Sequence, residues 1–159
     1  MCAEVGAHPG LVDLASFGVI DAALGATQPT ADWLLVHVTS GYASIAILRG
    51  HDLIFYRNRA EEADGDLAGL VHQTAMYYED RLGGTAAGFK RVMLAGTGPL
   101  EGRGLELVRR DIEGRLGLRT ESVAGDRIAR FTDRIAADPE VLGTVAPLVG
   151  LLARGRAVV

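Results

Sequence analysis

From Trp33 to Arg57 the chain alternates apolar runs with short polar turns. Trp33–Val38 and Ala43–Leu48 are rich in β-branched and apolar residues, and Thr39-Ser40-Gly41-Tyr42 separates them. Leu53–Arg57 follows after Arg49-Gly50-His51-Asp52. Apolar runs of this length, bounded by glycine-bearing turns, predict strands, and turns this short force neighbouring strands to be antiparallel. The period then changes. Leu67, Leu70, Val71, Thr74, Tyr78 and Leu82 step by three and four, the spacing of one helix face. Gly83-Gly84 is placed to end that helix. "FKRVMLAGTG" reads as a strand entering a glycine turn. "EGRGLELVRRDIEGRLG" reads as a second helix, with Leu105, Val108, Ile112 and Leu116 on one face, and "LRTESV" as a last short strand. Asp138 and Pro139 start a final helix as N-cap and first helical residue. Ahead of the strands, Leu11–Leu14 predicts a short strand, and Ser16 is placed to cap a helix running to about Leu24, closed by Gly25 and Pro29. Residues 124–137 carry no clear pattern.

The order from Trp33 is β-β-β-α-β-α-β-α. Three antiparallel strands followed by alternating helix and strand is the order of the α/β ribonuclease H-like fold, with a mixed five-stranded sheet and flanking helices. Actins, sugar kinases and Hsp70-type ATPases use that unit twice, once per lobe. A length of 159 residues fits one such domain. Residues 1–32 would form the lead-in strand and helix, and residues 33–159 the core.

Composition narrows the choice of function. Hydrophobic residues make up 48% and charged residues 23%, a globular balance. The net charge of −4, with no basic stripe, opposes a nucleic-acid role. Cys2 is the lone cysteine, so no internal disulfide forms. "MCAEVGAHPG" lacks the basic and apolar regions of a signal peptide. "VLGTVAPLVGLLARG" is shorter than the ~20 residues that span a bilayer, and a buried helix is the expectation for it.

Two turns are candidates for chemistry. Thr39, Ser40 and Gly41 have the residue types of a hairpin whose backbone N–H groups point at phosphate. Such a site normally adds a carboxylate on the first strand, and no Asp or Glu occurs between Trp33 and Asp52. His37 is no substitute ligand for Mg²⁺, which prefers oxygen. The alternative is a plain Ser/Gly turn. Gly96, Thr97 and Gly98 form the second candidate, a strand-to-helix turn that either admits a ligand close to the backbone or simply uses glycine for positive φ. It is neither a dinucleotide fingerprint, since Glu101 stands where the third glycine belongs, nor a Walker A loop. His8, His37, His51 and His72 show no metal-ligand spacing, and no nucleophile motif of the G-x-S-x-G kind occurs. Hence no catalytic and no metal-binding residue is assigned. Tyr78 is expected in the core, Glu79 and Asp80 on a solvated face, and Arg57 and Arg59 at the surface.

"LLVHVTSGYASIAILRGHDLIFYRNRA", "AMYYED", "FKRVMLAGTGPLEGRGLELVRRDIEGRLGL" and "APLVGLLARG", in that order, resemble the second lobe of the PilM family, the actin-like proteins of type IV pilus assembly. The cytoplasmic domain of GspL-type secretion proteins is the nearest cousin. "VGAHPGLVDLASFGVIDAAL" resembles the segment that leads into that lobe. In this family the first strand's turn reads like V-D-I-G-A-E-T-T. Laid on this chain, the aspartate falls at His37, the first glycine at Thr39 and the acid at Gly41, while the glycine pair of the adenosine motif falls at Gly96 and Gly98.

The resemblance implies one lobe of a two-lobed actin-like protein with an eroded phosphate motif, hence a non-catalytic, degenerate ATPase-like lobe. It implies a scaffold or adaptor in type IV pilus or related type II secretion assembly. The lobe would sit in the cytoplasm, peripheral to the bacterial inner membrane and not spanning it. Its partners would be PilN-like inner-membrane proteins and a cytoplasmic motor ATPase. In the family, the groove for the PilN tail belongs to the first lobe, which this match does not include. No cofactor is required of this lobe, and ATP or ADP with Mg²⁺ enters only in the two-lobed context. The alternative is a working nucleotide-binding lobe of an actin-like ATPase or kinase, for which Asp13, Asp52 and Glu101 are the nearest carboxylates.

Overall fold

The computed structural model describes residues 13–26, 29–39, 41–60, 66–83, 88–96, 103–123 and 139–157. Its elements are α1 (Ala15–Ala26), β1 (Asp32–Val38), β2 (Tyr42–Arg49), β3 (Asp52–Ala60), α2 (Leu67–Arg81), β4 (Arg91–Ala95), α3 (Arg103–Leu116), β5 (Thr120–Ser122) and α4 (Pro139–Ala157). They form one five-stranded sheet in the order β3-β2-β1-β4-β5. β1 and β2 are antiparallel, as are β2 and β3, while β4 and β5 run parallel to β1. This is the mixed sheet expected from the β-β-β-α-β-α-β-α order.

The sheet is covered on both faces, which explains why β1 and β2 read as continuous apolar runs. Side chains alternate along a strand. Leu34, Val36, Val38, Ile45 and Ile47 therefore pack beneath α2 and α3, together with Leu70, Val71, Tyr78 and Ile112. Trp33, Leu35, Ala46, Leu48 and Met93 pack beneath α1 and α4, with Val19, Ile20 and Ala146. At the amino end of β1, Asp32 ties the layers together. Arg49 donates to its carboxylate from Nε (3.1 Å) and from a terminal nitrogen (3.0 Å), and the Tyr78 hydroxyl donates to the same oxygen at 2.7 Å. Tyr78 is 1% exposed and stacks on Phe89, as its place on the apolar stripe predicts, while Glu79 and Asp80 are exposed.

The structure differs from the sequence reading at three places. Asp13 and Leu14 carry no strand; they lead straight into α1, with the Leu14 carbonyl accepting from the Phe17 N–H at 2.9 Å. Leu11 and Val12, the other residues of the expected strand, lie outside the described residues. Ser16 is no cap, because it lies inside α1 and is buried, with partners across the sheet. α4 is buried on one side only: Ala146 and Val149 face the core, whereas Leu148 (62% exposed) and Leu152 (66%) do not. Pro139 opens α4 as expected, and Asp138 lies outside the described residues. No helix among the described residues is long and apolar enough to cross a membrane.

Candidate functional site

β1 and β4 are parallel neighbours, and His37 is in register with Ala95. Their carboxyl ends therefore lie side by side, and the turns that follow them, at Thr39 and at Gly96, share one edge of the sheet. Ligands of open α/β sheets gather at such an edge. The fold thus brings together Thr39, Gly41 and Gly96. Ser40, Thr97 and Gly98, the rest of the candidate set, lie outside the described residues.

At the hairpin, the Thr39 side chain holds the turn closed. Its Oγ1 accepts from the Gly41 N–H (3.3 Å) and the Tyr42 N–H (3.1 Å), and donates to the Tyr42 carbonyl at 3.0 Å. The Thr39 N–H donates to that carbonyl as well, at 2.9 Å. The Gly41 and Tyr42 N–H groups, which a phosphate could have used, are bonded to a threonine hydroxyl instead, the pattern of a Ser/Thr turn.

At the second turn, Gly96 has φ +95, a region that disfavours side chains. A Cβ there would lie 1.9 Å from the Val38 carbonyl oxygen and 3.1 Å from His37 Cδ2. From the other side, a Cβ at Gly143 of α4 would come within 3.4 Å of the Gly96 carbonyl oxygen. The Gly96 peptide is held between the end of β1 and α4, so packing alone requires glycine here.

Between these turns stands His37, 2% exposed. Its Nδ1 lies 3.0 Å from Ser16 Oγ, and the Ser16 hydroxyl donates to Ser44 Oγ at 2.9 Å. A hydroxyl has a single proton, so Nδ1 must be the donor to Ser16, which assigns the Nδ1–H tautomer. Ser44 also accepts from Asn58 Nδ2 at 2.9 Å, leaving its own proton for the Tyr56 hydroxyl at 3.1 Å. Tyr42 sets its ring edge-on to the imidazole, centroids 5.8 Å apart. Burial pushes the His37 pKa down to about 4, so the ring is neutral at pH 7. A buried serine beside a histidine superficially resembles a nucleophile and its base. Here the imidazole gives a proton to Ser16 and takes none, and both groups are 2% exposed, so no activated nucleophile results.

These donors do not fit Mg²⁺ with a nucleotide. The strand-one position offers a neutral nitrogen where oxygen is wanted, and the adjacent Thr39 oxygen is engaged by backbone. Among the described residues no group of three His, Cys, Asp or Glu side chains is arranged to hold a metal. Asp13 is ion-paired with Arg154 at the start of α1. Asp52 is in register with Arg49, at the end of the hairpin remote from His37. Glu101 lies outside the described residues. Sequence reasoning singled out His37 but missed Ser16, Ser44, Tyr56 and Asn58. They come from three different elements and carry no local motif.

The sheet order with helices on both faces is the ribonuclease H-like unit of the actin-like ATPase fold. Among solved structures, a chain of the PilM–PilN type IV pilus biogenesis complex matches with a TM-score of 0.70 and 16% identity, over 96% of this chain and 55% of that one. A Bacteroides thetaiotaomicron protein of actin-like ATPase fold and unknown function matches with a TM-score of 0.51 and 10% identity, over 87% and 44%. At these identities the likeness is one of fold. The chain spans about half the length of these structures. No family profile and no curated protein matches the sequence.

Proposed function

We propose that this lobe is a non-catalytic scaffold of PilM type in a type IV pilus or related type II secretion platform. It would work at the cytoplasmic side of the inner membrane, relaying contacts between PilN-like membrane proteins and a motor ATPase. The fold likeness to a chain of the PilM–PilN complex supports the pathway. The observation that carries the non-catalytic part is His37: a neutral, buried imidazole bonded to Ser16 stands where the resemblance places the magnesium-binding acid. In this reading Thr39, Ser40, Gly41, Gly96, Thr97 and Gly98 are an inherited nucleotide edge kept for structure.

Titration calorimetry of the chain with Mg-ATP tests it. The expected result is no saturable heat at concentrations up to about 1 mM, weaker than about 4 kcal/mol of binding, and no phosphate release. Micromolar binding together with turnover would overturn the scaffold reading in favour of a working ATPase or kinase lobe. The partner half of the proposal is tested separately, by co-purification of the chain with a PilN-like protein and a pilus motor ATPase from the same organism.

A further inference from the structure

We propose that the outer edge of β3, beyond its bulge, takes an extended acidic segment of a partner protein as an added strand. Among the described residues, β3 and β5 are the outer strands of the sheet. β5 has three residues, while β3 has nine and is about 30 Å long. An outer strand presents a row of backbone donors and acceptors, and proteins ordinarily keep such edges short or guard them. The guard on β3 is selective. Its register with β2 slips between Ile47 and Leu48, which makes Ile54 an extra residue and breaks the edge there. From Phe55 to Ala60 the pairing with β2 is regular.

This regular stretch has a chemical signature. Phe55, Arg57 and Arg59 share one face of the sheet. The Phe55 ring packs against Tyr77 of α2, centroids 5.5 Å apart. Tyr77 (46% exposed) and Met76 (51%) continue an apolar ledge beside the edge. Arg57 is exposed, and no acid occurs from Leu53 to Ala60, although the whole chain carries −4. A second copy pairing antiparallel over the same six residues would set Arg57 opposite Asn58 and so offer it no carboxylate. Opposite charges across a ladder stabilise it, so an acidic guest satisfies this edge better than its own copy does. A guest strand fits when an apolar side chain covers Phe55 and Tyr77 and a carboxylate two residues along meets Arg57. Backbone pairing then supplies affinity, and these two contacts supply selectivity. The inference stands on the sheet edge alone and does not depend on which assembly the lobe serves.

The test uses the ¹⁵N-labelled full chain with two capped six-residue peptides, Glu-Thr-Val-Thr-Glu-Thr and its counterpart with lysine at both glutamate positions, so that the charges and the valine share one face. The glutamate peptide is expected to shift the amides of residues 55–60 and to slow exchange of those that point away from β2 about tenfold at ten times its Kd. The lysine peptide is expected to do neither. Arg57→Glu is expected to reverse that preference, and Tyr77→Ser to weaken binding without changing the preference. The proposal is overturned if the amides pointing away from β2 are already protected before peptide is added, if both peptides bind residues 55–60 equally, or if neither does. It is equally overturned if the shifts depend on protein concentration alone, because the edge would then belong to a second copy.

Discussion

At the scale of single residues, His37 decides how this lobe responds to acid. In the fold its pKa lies near 4, whereas in the unfolded chain it returns to about 6.5. Between those values the unfolded state binds the proton and the folded state does not. Stability is therefore full above pH 6.5 and falls as pH drops toward 4, by about 3 kcal/mol over the window. Asp32 acts in a different window. Hydrogen bonding from Arg49, reinforced by Tyr78, holds its carboxyl below the ordinary 3.8, so its contribution is lost only below that value. Urea midpoints at pH 7, 5.5 and 4.5 are expected to fall steadily, and His37→Gln is expected to flatten that slope; an unchanged slope in the variant would remove His37 as the cause. The sequence made half of this site legible. His37 stands out because nothing acidic replaces it on the strand, but its burial depends on Ser16 and Ser44, which the chain keeps 28 residues apart. Ser16 looked like a cap because caps and buried hydroxyls use the same residue types, and only the packing of α1 distinguishes them.

At the scale of elements, the contact between α1 and α4 is made by backbone. A Cβ at Gly18 would lie 2.4 Å from the Pro147 carbonyl oxygen, and one at Gly150 would lie 1.7 Å from the Gly18 carbonyl oxygen. These helices approach where glycine permits it, and Pro147, inside α4, has no N–H to give to the Gly143 carbonyl. Helix propensity and packing then predict opposite signs for the same substitution. Gly→Ala inside a helix ordinarily stabilises by about 0.5–1 kcal/mol. Gly114 of α3 is exposed with nothing within 4 Å of an added Cβ, so Gly114→Ala is expected to gain that amount. Gly150→Ala is expected to lose about 1–3 kcal/mol by overpacking. Chemical denaturation of the two variants checks both, and a gain at Gly150 would mean that α4 sits further from α1 than described. This contrast also limits what periodicity can reveal. Strands and the amphipathic α2 follow from spacing, because their side chains make the contacts. Where α1 meets α4 the closest contacts belong to glycines, which carry no hydrophobic signal, and the apolar residues of α4 are divided between core and surface.

At the scale of the whole molecule, two cores share one sheet. β1 gives Leu34, Val36 and Val38 to the layer under α2 and α3, and gives Trp33 and Leu35 to the layer under α1 and α4. Neither layer can leave without exposing the apolar back of strands that the other still needs, so the two are expected to unfold together. The competing possibility is that α1 and α4, packed backbone to backbone, detach as a unit. What opposes detachment, besides apolar contact, is the pair of hydrogen bonds that Ser16 makes with His37 and Ser44, which anchors α1 to the sheet. Trp33 is the chain's single tryptophan and lies in the α1–α4 layer, so its emission reports on that layer while far-UV ellipticity reports on all helices. In urea the two signals are expected to share one midpoint. Ser16→Ala leaves the His37 N–H without its partner, which is expected to cost about 1–3 kcal/mol and to lower that common midpoint without splitting it. A tryptophan transition that precedes the ellipticity change in the unmodified chain would show that the α1–α4 layer is a separate cooperative unit, and the shared sheet would then not be what makes the lobe fold as one body.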